Sequence, residues 1–167
     1  MPAKRAPTFE ELVARMATLH DRLRRRKLTV AVAESCTGGL LAAILTAHGG
    51  SSDYFRGGAV VYSNEAKEIL ADVAPQLIHT HGAVSSVVAD ALARGARMRL
   101  DAKIGLSVTG ISGPGGATPG KLVGLTYVAV DSDRHSAVKK HQFTFDRAGN
   151  RLASVGAALE LLEDAIG

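Results

Sequence analysis

Apolar side chains recur every three or four residues through Phe9, Leu12, Val13, Met16, Leu19 and Leu23, which predicts a helix. Thr8, followed three residues later by Glu11, supplies a capping box at its start. Residues 28–33 form an unbroken apolar run rich in β-branched side chains, read as a buried strand. It gives way to Glu34-Ser35-Cys36-Thr37-Gly38-Gly39. Residues 40–47 then read as helix, stopped by Gly49-Gly50. Residues 57–62 are a second predicted strand. Ser63 or Asn64 caps the helix that carries Glu65, Lys67, Ile69 and Leu70. Beyond Pro75, residues 79–82 read as a loop. Ser85 or Ser86 caps a further helix with Val87, Val88, Ala91, Leu92 and Met98 facing inward. Residues 104–108 and 125–130 are the third and fourth strands, and 138–145 a half-exposed fifth. A turn at 146–150 leads into a closing helix on Leu152, Val155, Leu159, Leu162 and Ile166.

Strands alternate with helices early, and two strands are adjacent late. This order predicts an α/β fold, a three-layer α/β/α sandwich on a mixed, mostly parallel sheet of about five strands with one antiparallel member. No repeat or linker interrupts the chain. A length of 167 residues with 46% hydrophobic and 22% charged residues is expected to form one domain over 1–167. No apolar run is long enough to span a bilayer, and Met1-Pro2-Ala3-Lys4-Arg5 has no apolar leader segment, so no membrane partner is expected. The single Cys excludes an intramolecular disulfide and a Cys-based zinc site, and a cytoplasmic location is expected.

The net charge is +4, but it is unevenly spread. Up to Lys27, eight basic residues against three acids carry +5, leaving −1 for the rest. The cluster at residues 22–27 ends a helix, where cations offset the negative end of the helix dipole. No aromatics interleave with it, so nucleic acid is not the expected partner.

In open α/β sheets, ligands bind beyond the carboxyl ends of the strands. Three such ends turn polar or Gly-rich: residues 34–39, 62–67 and 109–116. Backbone N–H groups at such turns suit a phosphate or an oxyanion. Two named phosphate motifs fail. The run from Gly115 to Gly120-Lys121 nearly spells a P-loop, but Leu122 stands where the magnesium-binding hydroxyl belongs, and Gly113-Pro114-Gly115 does not complete a dinucleotide fingerprint. Ser35 is the candidate nucleophile by position, with Cys36 its rival. No His falls at a strand end, so a Ser-His-Asp triad does not fit. Lys67 lies one helical turn past the second strand end and can serve as a base if buried, or be an ordinary solvated lysine. Tyr62 can relay a proton or orient the hydroxyl. Arg147 and Arg151 are four apart and can meet a phosphate or face water. His79 and His81 have no carboxylate or Cys beside them, and no metal or cofactor is expected.

Ala33-Glu34-Ser35-Cys36-Thr37-Gly38-Gly39 resembles the signature of the CinA C-terminal domain family, the nicotinamide-nucleotide amidohydrolases also called PncC. The likeness continues, in order, through Gly50-Ser51-Ser52, Tyr54 to Gly58, Tyr62-Ser63-Asn64-Glu65-Ala66-Lys67, His81-Gly82-Ala83-Val84-Ser85, Thr109 to Gly116 and Asp146-Arg147. The family usually carries Ala, Glu, Pro and Gly where this chain has Ser112, Gly120, Leu122 and Phe145. The resemblance implies deamidation of nicotinamide mononucleotide, a small-molecule nucleotide substrate, without a metal. It implies Ser35 as acylating nucleophile, Lys67 as its base and Tyr62 as assistant. Thr37, Gly38 and Gly39 would face the oxyanion and phosphate. Thr109, Gly110, Gly113 and Gly115 would line the nucleotide site, with Arg147 as a phosphate partner. A homo-oligomer is expected. The alternative is a non-catalytic nucleotide-binding or interaction module linked to competence or DNA damage.

Overall fold

The computed structural model describes residues 4–167. Met1–Ala3, part of the segment read as lacking a leader, lie outside the described residues. The elements in order are α1 (Phe9–Arg26), β1 (Val30–Glu34), α2 (Leu40–Leu45), a short 3-10 turn (Ser51–Asp53), β2 (Phe55–Val60), α3 (Asn64–Ala71), α4 (Pro75–His81), α5 (Ser86–Arg99), β3 (Ile104–Gly110), β4 (Leu125–Ser132), β5 (Ser136–Gln142) and α6 (Arg147–Ile166). The sheet order is β2-β1-β3-β4-β5. β1 pairs in parallel with β2 and β3, and β4 is antiparallel to both β3 and β5. Four strands thus run one way and β4 the other, as the element order predicts.

The alternation within β1 explains the two layers. Val30 and Val32 face α1, α2 and α6, where Met16, Leu41, Ile44, Leu159 and Leu162 complete the larger core. Ala31 and Ala33 face α3, α4 and α5. That second face is built small so that α5 can lie close. A Cβ on Gly105 of β3 would stand 1.9 Å from the Ala93 carbonyl oxygen, and one on Gly95 1.8 Å from that of Ala71. No helix of the described residues is long and apolar enough to cross a membrane.

Several boundaries depart from the pattern-based expectation. β1 starts at Val30 because Lys27 turns left-handed and the Leu28 N–H closes α1 on the Leu23 carbonyl. α2 stops at Leu45. β2 spans Phe55–Val60, so Val61 and Tyr62 follow the strand. Residues 79–82 are no loop: Pro75 starts α4, Ile78 is buried, and Gly82 at φ 78° ends it. Met98 does not face inward. It is 66% exposed, because α5 turns Ala89, Leu92, Ala93 and Ala96 toward the small-residue face. β3 runs on to Gly110. β5 ends at Gln142, and α6 begins at Arg147 directly after its N-cap Asp146.

The basic run of α1 is engaged within the fold. Arg22 meets Glu163, Arg24 meets Asp53 at 2.8 Å, and Arg26 donates to the Ile166 carbonyl.

Candidate active site

Three parallel strands end side by side, and Ser35 is the first residue past the middle one. Its N–H donates to the Val108 carbonyl of β3 at 2.9 Å, while the Glu34 carbonyl accepts from Val61 N–H at 2.8 Å. The turn that follows is held from inside by Glu34. This carboxylate accepts from the Thr37 hydroxyl (2.7 Å) and from the Leu41 and Ala42 N–H groups (2.8 and 3.0 Å), capping α2 in the core. Sequence reading assigned Glu34 no part; a carboxylate closing an apolar strand was the available signal.

Ser63 caps α3 by accepting from Ala66 N–H at 3.0 Å. Lys67 sits one turn on, and helical side chains lean toward the N-terminus. Its Nζ therefore returns over the start of α3, 2.8 Å from the Val61 carbonyl, 3.4 and 3.5 Å from those of Ser63 and Tyr62, and 3.2 Å from Ser35 Oγ. Lys67 is only 1% exposed, and no carboxylate of the described residues lies within ion-pair distance. Burial pulls the amine below the usual lysine value, the weaker influence of Glu65 and Cys36 notwithstanding. Carbonyl oxygens only accept, so the amine donates to them, and its hydrogen bond to Ser35 Oγ joins the hydroxyl directly to the nitrogen. That is the arrangement of a nucleophile and its base.

Ser35 and Lys67 open into a cavity of about 260 Å³, also lined by Tyr62, Asn64, Ala83, Val84, Thr109, Gly110, Gly113, Gly115 and Arg147. Thr109 donates to the Ala83 carbonyl (2.9 Å), tying β3 to the segment before α5. Gly110 admits a close approach, since a Cβ there would meet Thr126 Oγ1 at 2.7 Å and Cys36 Sγ at 3.2 Å. At the mouth Tyr62, 60% exposed, accepts from Arg147 Nη2 at 2.9 Å, while Arg147 Nη1 donates to the Gly113 carbonyl at 2.7 Å. Both partners are neutral, and no carboxylate of the described residues pairs with Arg147, so its charge is available to an anion. Asn150, unmarked by sequence pattern, donates to the Ser112 carbonyl (3.0 Å) and accepts from Phe145 N–H (3.1 Å), docking the glycine loop on α6.

Other candidates lie outside the cavity or are otherwise engaged. Thr37, Gly38 and Gly39 do not line it; the Thr37 hydroxyl is used by Glu34. Arg151 is committed to the Cys36 and Thr37 carbonyls (3.1 and 3.0 Å). Cys36 lines the cavity, but burial pushes its thiol up to about 11 despite the opposing Ser112 hydroxyl, so it is no thiolate near neutrality. His79 and His81 are exposed on α4. A larger groove of about 450 Å³ between α1, β5 and α6 holds Leu12, His141, Phe143 and Thr144, and among the described residues no hydrogen bond joins the Thr144 hydroxyl to a base.

A family model described as the CinA C-terminal domain matches residues 13–166. A "CinA-like protein" from Acidobacterium capsulatum is 52% identical over 140 residues, covering 84% of this chain and 34% of that protein. Another from Citrifermentans bemidjiense is 48% identical over 153 residues, covering 92% and 36%. The chain thus spans about a third of the length of these curated relatives. Among solved structures, the competence/damage inducible protein CihA from Agrobacterium tumefaciens superposes with TM-score 0.87 at 36% identity, covering 98% of each chain. A CinA superfamily protein from Escherichia coli gives TM-score 0.88 at 31% identity, covering 95% of this chain and 90% of that one.

Proposed function

The chain belongs to the CinA C-terminal domain family, and on that premise we propose that it is a serine amidohydrolase that converts nicotinamide mononucleotide and water to nicotinate mononucleotide and ammonia. The observation that carries this reading is the buried, ion-pair-free Lys67 amine 3.2 Å from the Ser35 hydroxyl at the joint exit of three parallel strands. Lys67 takes the hydroxyl proton as Ser35 Oγ attacks the carboxamide carbon. The tetrahedral oxyanion is met by the backbone N–H of Cys36, the residue of the turn that lines the cavity with Ser35. The C–N bond breaks, and the proton held by Lys67 leaves with ammonia. Water then gives a proton to Lys67 and attacks the ester, and the Ser35 oxygen recovers that proton as the acid departs. Arg147 receives the phosphate at the mouth, exchanging a neutral phenol for a charged partner, and Tyr62 is set beside it. The glycines of the 109–116 segment leave room for the nucleotide.

The test is incubation with nicotinamide mononucleotide, with and without chelator, following ammonia and the acid product. Formation of both, unaffected by chelator and abolished in Ser35→Ala, is the expected result. No ammonia from the native chain would overturn the reading. The competing role as a binding module in DNA uptake or damage rests on the Arg22 to Lys27 cluster, much of which is engaged inside the fold. Steeply salt-dependent duplex binding without deamidation would favour it.

A further inference from the structure

Three successive carbonyls past the end of β3 are engaged. That of Ile111 accepts from Gly124 N–H (2.7 Å), that of Ser112 from Asn150 Nδ2 (3.0 Å), and that of Gly113 from Arg147 Nη1 (2.7 Å). Among the described residues, the Gly113 N–H meets no backbone or side-chain acceptor. The Ser112–Gly113 peptide is trans, and a trans peptide points its N–H opposite to its C=O. Asn150 grips the carbonyl of that same peptide, so the Gly113 N–H points away from Asn150 and α6. Gly113 lines the cavity of Ser35 and Lys67, but not the groove that Pro114, Phe145 and Ala148 form on the α6 side of the loop. The free amide and the cavity therefore share one side of the loop. Asn150 is 1% exposed and committed at its other end too, where Oδ1 accepts from Phe145 N–H at 3.1 Å. It thus joins the glycine loop to the turn that carries Arg147.

We propose that Asn150 is a positioning residue for phosphate recognition: its bond to the Ser112 carbonyl turns the Gly113 N–H into the cavity, where that amide donates to the substrate phosphate beside Arg147. The role rests on the nucleotide reading for its substrate, but its test needs only a phosphate ester. The Arg147 guanidinium stands on the carbonyl of Gly113 itself, so one phosphate group meets the fixed amide and the charge together. Asn150 touches neither substrate nor Lys67 in this account.

The experiment uses the full chain and two readouts. The first is backbone amide NMR during titration with ribose 5-phosphate, which has the phosphate but no carboxamide. In the native chain the Gly113 amide is expected to shift with the saturation curve of the Arg147 side chain. Asn150→Ala is expected to weaken binding of the ester by about 10-fold, the cost of misaligning one hydrogen bond to a charged group. Asn150→Asp keeps an acceptor for Phe145 N–H but sets a carboxylate against the Ser112 carbonyl, and the same loss of about 10-fold is expected. It carries the test if the alanine variant does not fold, and the Gly113 shift needs no variant at all. The second readout is deamidation. Both variants should raise KM for nicotinamide mononucleotide by about 10-fold with kcat within about threefold of native. The dephosphorylated nucleoside should show no such loss, whereas a merely damaged fold would slow nucleotide and nucleoside alike. Variants that bind ribose 5-phosphate as the native chain does, equal losses for nucleotide and nucleoside, a Gly113 amide that stays still while the ester saturates, or a native chain that does not bind the ester would overturn the proposal. A native chain that binds the ester through Gly113 but releases no ammonia removes the amidohydrolase reading alone.

Discussion

Glu34 and Lys67 are each 1% exposed, and both lie at the exit of the parallel strands, yet the fold treats them oppositely. The two Glu34 oxygens accept three hydrogen bonds at 2.7 to 3.0 Å, two of them from the N-terminus of α2. Its burial is compensated in full. Lys67 has carbonyls and one hydroxyl around it, and no ion pair among the described residues. Its charged form is the one the site disfavours. A buried charge that is satisfied holds a turn in place. A buried amine hydrogen-bonded but without an ion pair is available to take a proton.

The largest break in that comparison is on the chemical side. Ser35→Ala should cut ammonia release by about 10⁴-fold, and Lys67→Met by about 10³-fold, while circular dichroism shows the native fold. Stability should move the other way for the lysine. Removing a buried amine that has no ion pair is expected to raise the unfolding free energy at pH 7 by about 1 kcal/mol, read as a higher urea midpoint. The pH dependence follows from the lowered value. Unfolding takes up a proton between the folded-state value and the free lysine's 10.5, so native stability rises with pH across that window and is lower below it. Lys67→Met should flatten that rise in denaturation series at several pH values.

Glu34→Gln supplies the opposite signature. An amide presents an N–H₂ group to donors that need an acceptor, so a loss of about 2–3 kcal/mol is expected in urea unfolding. A smaller loss would mean that the N-terminus of α2 does not depend on the carboxylate.

Much of this arrangement was legible in the chain. Glycine-rich strand exits and the spacing of Tyr62, Ser63 and Lys67 placed the second half of the candidate site on a strand-to-helix turn, and the one antiparallel strand expected is β4. The rest depended on what lies opposite in space. Helical periodicity could not say that α5 faces Ala31, Ala33 and Gly105, so Met98 was put on the wrong side. Glu34 looked like the start of a polar loop because the closing of α2 over it is a tertiary event. Arg151 reaches carbonyls 114 and 115 residues away; nothing local distinguishes it from Arg147, which stays at the cavity mouth.

Two smaller effects sharpen the same contrast. Arg147→Ala should raise KM for the phosphorylated nucleotide about 10- to 100-fold, as loss of a charge-assisted contact does, and leave the dephosphorylated nucleoside almost unaffected. Cys36→Ala should change kcat less than about threefold and lower stability by about 1 kcal/mol, the signature of a small buried side chain.

The proposed chemistry requires a Lys67 amine that gives up its proton below the ordinary lysine value. Nitrogen-15 NMR of the lysine ζ-amines tests it most directly, with the Lys67 signal identified by its absence from Lys67→Met. The account predicts a midpoint clearly below 10.5, coincident with the rise of the Ser35-dependent rate. A Lys67 amine that titrates at or above the ordinary lysine value, while the rate climbs at some other pH, would contradict it.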